Sequence, residues 1–94
     1  DSEADRLYRD LATLLSVSHA VDSGDPAALA ARLQPLLAEG NPWRASAREA
    51  AALLAIRRGQ SEEARRMLEA LVSDPAAPSG VRERAQRVAA GLRG

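Results

Sequence analysis

Hydrophobic side chains recur at helical spacing along most of the chain, and the first segment shows the pattern most fully. One stripe consists of Leu7, Leu11, Leu14, Ser18 and Val21, and a neighbouring stripe of Ala12, Leu15 and His19. Spacings of three and four place the members of each stripe on one face of an α-helix. The pattern predicts a first helix from Ser2 to Val21 that is apolar over a wide arc.

Prolines, glycines and capping residues divide the remainder into four more helices. Asp25-Pro26 and Asn41-Pro42 each place a capping side chain before a proline, which favours a helix start. Pro35 removes one hydrogen bond inside the second helix and should kink it. The predicted helices after the first span 26–40, 42–58, 61–73 and 79–93.

The chain also repeats itself every 35 residues. Tyr8 returns as Trp43, Gly24 as Gly59 and Leu33 as Leu68. A fixed period of this length in a chain rich in alanine and leucine is typical of helical-hairpin solenoids. The sequence therefore predicts one all-α domain (1–94) with a hairpin over 2–40, a second hairpin over 41–75 and a capping helix over 79–93. Trp43 is expected in the core.

Charge argues against a nucleic-acid partner. The 13 arginines balance 13 acidic residues, although residues 1–40 carry net −4 and residues 41–94 net +4. Arg57-Arg58 falls at a helix C-terminus, where cations interact favourably with the dipole, and Arg65-Arg66 lies among glutamates. Aromatic residues, which stack on bases, do not accompany either pair. We expect a protein or peptide partner and no nucleic acid.

Candidate chemistry is sparse. His19 is the sole histidine and there is no cysteine, whereas zinc needs three or four ligands. Ser18 is adjacent to His19 in the chain and points to a different face of the helix, and no further residue is placed to orient the imidazole for Ser16, so the sequence offers no nucleophile–base pair. No run of about 18 apolar residues is available to span a bilayer. The sequence predicts a protein that is not an enzyme, with no catalytic residues, no metal and no cofactor.

The pattern of small residues resembles a tetratricopeptide repeat. Ala47, Ala50, Ala51 and Leu54 match the first-helix positions of that family, and Gly59, Ala64, Leu68 and Pro75 match the turn and second helix. The resemblance implies a right-handed solenoid in which the first helix of each hairpin lines a concave groove. It also implies that Ala50 and Ala51 mark the closest approach of helices 3 and 4.

A narrower resemblance covers residues 25–92. The strings Gly-Asn-Pro-Trp-Arg (40–44) and Ser-Asp-Pro-Ala-Ala-Pro-Ser-Gly-Val-Arg-Glu-Arg-Ala-Gln (73–86) are similar to proteobacterial membrane-anchored tetratricopeptide-like proteins of the ancillary Sec translocon type. The resemblance implies a periplasmic interaction scaffold that assists exported or envelope proteins, in a longer chain that carries the anchor. The alternative is a cytoplasmic sensor or regulator module of a multidomain protein.

Two surfaces follow from these assignments. Turning the small residues of helix 3 inward predicts a shallow, mixed-charge partner groove formed by Asp10, Thr13, Val17, Arg48, Ala52, Ala55, Glu83 and Arg87. The side of helix 1 that would meet a preceding repeat predicts an exposed apolar edge formed by Leu7, Leu11 and Leu14. Because monomers seldom leave such an edge open, we expect it to dock another repeat or to form a homodimer through helix 1.

Overall fold

The computed structural model describes residues 2–93, which form five α-helices and one short 3₁₀ turn. The helices are α1 (Ser2–Ala20), α2 (Pro26–Leu33), α3 (Arg44–Arg57), α4 (Ser61–Val72) and α5 (Ser79–Arg93), and the 3₁₀ turn is Gln34–Leu37. Strands are absent from these residues, so the predicted all-α class with five helices is confirmed. None of the helices within residues 2–93 is long and apolar enough to cross a membrane.

The second helix is shorter than the sequence predicted, because Pro35 ends its regular hydrogen bonding. α2 stops at Leu33, and the chain continues as a 3₁₀ turn instead of a kinked helix reaching Gly40. A proline inside a helix offers no N–H and clashes with the carbonyl one turn back. A 3₁₀ turn avoids part of this conflict, and it still buries Leu36 in the core.

Helix α3 begins two residues after its predicted start because Asn41 forms a turn of its own. The Asn41 Oδ1 atom accepts a hydrogen bond from the Trp43 N–H at 2.9 Å, and the Asn41 carbonyl accepts one from the Arg44 N–H at 3.1 Å. Such side-chain turns compete with helical geometry. Gly40 and Gly59, which flank this helix, have φ of +88° and +77°, a conformation that favours glycine.

Two clusters of buried side chains form the core, and α3 contributes one side to each. The first cluster is rich in leucine and consists of Leu14, Val17, Leu29, Leu33, Leu36, Ala47, Ala50 and Leu54. The second cluster is rich in alanine and consists of Ala52, Leu68, Leu71, Ala77, Val81, Ala85 and Ala89. Ala50, which the resemblance placed at the closest approach of helices 3 and 4, instead belongs with Ala47 and Leu54 to the cluster with α1 and α2.

Each helix packs against the next along the chain, and α3 also contacts α1 and α5. The three odd-numbered helices therefore lie in a row within an elongated molecule of 48 × 31 × 17 Å. The side chain of Arg57, at the end of α3, reaches the α1–α2 loop. Its NH1 group donates to the carbonyls of Val21 at 2.9 Å and Gly24 at 2.6 Å. Its side chain thus holds the α1–α2 loop against the end of α3.

Candidate functional site

A shallow depression of about 350 Å³ lies across the row of odd-numbered helices. It is lined by Leu14, Leu15 and Ser18 of α1 and Val21 of the α1–α2 loop, by Ser46, Glu49, Ala50 and Leu53 of α3, and by Arg84 of α5. We call this surface the odd-helix groove. Residues of α2 and α4 do not line it, so it lies on the helices that the tetratricopeptide resemblance assigned to partner binding.

The groove predicted from the sequence also lies on α1, α3 and α5, but it uses a different face of α1 and α3 from the one that lines this depression. Val17 and Ala52 have no accessible surface, and Ala55 is also buried, so these three residues cannot line a groove. The observed lining residues come one position later, with Ser18 after Val17 and Leu53 after Ala52. One residue corresponds to a rotation of about 100°, which moves the predicted groove face into the core.

Arg48, another predicted groove residue, has a structural contact instead. Its NH1 atom lies 2.7 Å from Oδ2 of Asp74 in the α4–α5 loop, and both side chains are largely shielded. The Ala76 N–H, which donates to Asp74 Oδ1 at 2.9 Å, contributes most to lowering the pKa of Asp74, and the hydrogen bond from Arg48 comes next. Arg48 therefore fixes the α4–α5 loop to α3 and does not line the groove.

The remaining predicted groove residues lie at two other places. Asp10 and Thr13 are half-buried and line a separate cleft of about 750 Å³ between α1 and the segment around the 3₁₀ turn. Asp10 Oδ2 accepts a hydrogen bond from Asn41 Nδ2 at 3.2 Å. Glu83 and Arg87 are exposed on α5 but do not line the depression, so the predicted set does not form one surface.

An ion pair with two hydrogen bonds spans the odd-helix groove from α3 to α5. Arg84 donates from Nε to Glu49 Oε2 at 2.8 Å and from NH2 to Oε1 at 3.0 Å. These hydrogen bonds, followed by the charge of the carboxylate, raise the pKa of Arg84. The Arg84 side chain is 51% exposed, and its NH1 group has no partner among residues 2–93. The pair therefore presents an oriented cation at the groove surface.

Helix α1 carries the most exposed large apolar side chains within residues 2–93. Tyr8 is 69% exposed, Leu15 60% and Leu7 38%. Leu11 is half-buried, whereas Leu14 is buried in the first cluster, so the predicted inclusion of Leu14 in an exposed edge is wrong. The apolar surface of α1 is centred on Tyr8 and Leu15 instead.

Two features of the structure fix the rotation of α1. Trp43 is half-buried and packs against the first cluster, and its Nε1–H donates to the Leu7 carbonyl at 3.2 Å. The Asp10–Asn41 hydrogen bond lies on the same side. These partners are 31 to 36 residues apart in sequence, so the local pattern of α1 could not reveal them.

His19 is exposed on α1, where the sequence analysis had included it in an apolar stripe. Residues 2–93 contain no group of three or more His, Cys, Asp or Glu side chains placed to hold a metal ion. Comparison of the chain with protein-family models, curated proteins and solved structures gave no significant match.

Proposed function

We propose that this chain is a protein-interaction module that binds a short segment of another protein in the odd-helix groove. The observation that supports this most is the placement of exposed Leu15 and half-buried Leu53 beside the Glu49–Arg84 pair in one depression. A partner side chain that covers these leucines gains roughly 25 cal/mol for each Å² of apolar area removed from water. The same contact would fix its orientation through Arg84.

The polar groups of the groove favour a particular kind of segment. Ser18 and Ser46 offer hydroxyl groups that can donate or accept, and the Arg84 NH1 group can donate to a backbone carbonyl or a carboxylate. Arg87 is exposed one turn further along α5. We expect an apolar side chain over α1 and α3 and an acidic group toward α5. Because the groove is shallow, we expect affinity near the micromolar range, about −8 kcal/mol.

The tetratricopeptide resemblance supports the same proposal, because that family binds partners on the first helices of its hairpins. On the same resemblance we propose that the helices form a right-handed solenoid, and we propose a cellular location. We place the module on the periplasmic face of the inner membrane, in a membrane-anchored protein that assists exported or envelope proteins, on the strings at 40–44 and 73–86. A cytoplasmic sensor or regulator module is the alternative. An apolar segment of about 20 residues in the parent gene product, upstream of this region, would favour the first.

A peptide selection tests the groove. Peptides from a displayed random library would be selected on the wild-type chain, and their affinities measured by fluorescence anisotropy. Ser46→Arg fills the groove with a large cation and should weaken binding about tenfold or more, a loss of about 1.4 kcal/mol. Ser16→Arg, on the exposed opposite side of α1, is the matched control. If the peptides bound both variants with equal affinity, the proposal that they bind in the odd-helix groove would be wrong.

A further inference from the structure

A second regular surface lies on the exposed side of α1. Ala4, Tyr8, Leu11, Leu15 and Ser18 follow one another at spacings of four, three, four and three. We call these five residues the α1 seam. Such spacing is the a/d pattern with which one helix packs along another in a coiled coil. Tyr8 and Leu15, at its two a positions, are the most exposed large apolar residues of the described chain.

We propose that the α1 seam binds the α1 seam of a second copy of this chain, with the two helices antiparallel. In this register Leu11 of one copy faces Leu15 of the other, and Tyr8 faces Ser18. The flanking e positions are Asp5, Ala12 and His19. In the dimer each Asp5 lies opposite His19 of the other copy, which gives two such pairs. The two Ala12 residues face each other at the two-fold axis.

Charge complementarity selects this partner and this direction. Each antiparallel dimer gains two acid–imidazole contacts, because the e positions of one helix meet the e positions of the other. In a parallel dimer the e positions face g positions, which here are Leu7, Leu14 and Val21, and Asp5 gains no basic partner. The small side chain of Ala12 at the axis permits close approach of the helices, as an isologous interface requires.

The small area of the seam favours a weak dimer. The exposed parts of Tyr8 and Leu15, together with Leu7 beside the seam, offer roughly 300 Å² on each copy, since a fully exposed aromatic side chain presents about 150–250 Å². A stable interface buries about 800 Å² on each partner. We therefore infer a weak, reversible dimer with a dissociation constant of roughly tens to hundreds of micromolar.

The dimer does not depend on the groove function, but the two compete. Leu15 and Ser18 belong to both the seam and the odd-helix groove, so a second copy on the seam covers part of the groove. Tyr8 and Ala12 belong to the seam alone, and Ser46 and Arg84 to the groove alone. Variants at these four positions therefore distinguish failure of the dimer from failure of segment binding.

Sedimentation equilibrium tests the surface. Wild type would be measured from about 10 µM to about 1 mM, a range that brackets the expected constant. Tyr8→Glu should raise the dissociation constant at least tenfold with unchanged melting temperature, because Tyr8 is exposed. Ala90→Glu, an equal change of charge at an exposed position of α5, should dimerise as wild type does. A monomeric wild type, or a Tyr8→Glu variant that still dimerises normally, overturns the proposal.

The antiparallel direction has its own test. Asp5→Arg and His19→Asp should each weaken the dimer roughly fivefold, because two flanking contacts change in each, and the double variant should restore it. Ala12→Cys introduces the one cysteine of the chain at the axis and should give a disulfide-linked dimer under mild oxidation, whereas Ala90→Cys should not. A double variant weaker than both single variants, or equal cross-linking at both positions, rejects the arrangement.

Discussion

The two core clusters on either side of α3 are filled in different ways. Six of the eight residues of the first cluster are leucine or valine, whereas four of the seven residues of the second are alanine. The first cluster thus fills space with large side chains, and the second brings helix backbones close together. The same row of helices is therefore held together by large side chains at one end and by close packing of small ones at the other.

Ion pairs accompany the alanine-rich region. Arg48–Asp74 and Glu49–Arg84 join α3 to the α4–α5 loop and to α5, and Glu69 of α4 bonds Arg93 of α5 at 2.6 Å. Because ion pairs that water can reach contribute little net stability, close packing remains the main source of stability there. Substitutions in the two clusters should therefore differ in kind, and this difference can be measured.

The largest effect is expected from removing volume in the first cluster. Leu33 is fully buried, so Leu33→Ala should lower the free energy of unfolding by about 2–5 kcal/mol through lost burial and a residual cavity. Chemical denaturation measures the change. Leu7→Ala, at a partly exposed position, should cost less than about 1 kcal/mol. A loss as small at Leu33 as at Leu7 would contradict a volume-filled first cluster.

Adding volume should damage the second cluster. Ala52 has no accessible surface, so Ala52→Leu should lower the free energy of unfolding by about 1–3 kcal/mol or more. Ala51 is half-buried at the rim of a depression of about 300 Å³ with Met67 and Ala70, so Ala51→Leu should cost less. The tetratricopeptide resemblance placed the closest approach of helices 3 and 4 at Ala50 and Ala51. A larger loss at Ala51 than at Ala52 in the same denaturation measurement would restore that assignment.

A smaller effect, dependent on pH, is expected at Asp74. Its pKa is lowered in the folded chain by the Ala76 N–H and by Arg48, so the unfolded chain binds the proton more readily. The resulting stabilisation is present above the ordinary aspartate pKa, near 4, and is lost as pH falls through the lowered folded value. The difference in melting temperature between neutral and acid pH should therefore be smaller in Asp74→Asn than in wild type. Asp22→Asn, at an exposed site, should keep the wild-type difference.

The smallest effect on stability is expected from the Glu49–Arg84 pair. Since Arg84 is half-exposed, Arg84→Ala should change the free energy of unfolding by no more than about 1 kcal/mol. Binding of the selected peptides should nevertheless weaken, because the oriented donor is lost. Ala90→Arg, which adds an arginine elsewhere on α5, serves as the control for charge. A large loss of stability in Arg84→Ala would mean that the Glu49–Arg84 pair contributes as much to the free energy of unfolding as the packing of the core does.

The sequence was sufficient to predict the helices but not their rotation. Local signals such as Asp25-Pro26, Gly59 and Pro35 act within one turn, and the predicted helices agree with the structure to within two residues except where Pro35 ends α2 early. The rotation of α1 depends on Asn41 and Trp43, which form hydrogen bonds to it from the turn that precedes α3. These contacts between distant segments leave no trace in the local pattern.

Alanine caused the second error. Ala50 and Ala52 face opposite sides of α3, yet both are buried. Alanine is small enough for either a groove floor or a tight helix contact, so its position in the sequence does not distinguish them. Because α3 is buried on two sides, Ser46, Glu49 and Leu53 lie between the two clusters and line the groove. This placement depends on how all five helices are arranged, so it cannot be read from the sequence of α3 alone.

Because α3 contributes residues to both clusters, it affects how the molecule unfolds. Chains built from repeats can open one repeat at a time when each has its own interior. Here α3 supplies Ala47 and Leu54 to one interior and Ala52 to the other, so loss of either cluster exposes part of the same helix. The two halves should therefore unfold together, with the amide protons of α3 among the last to exchange with solvent.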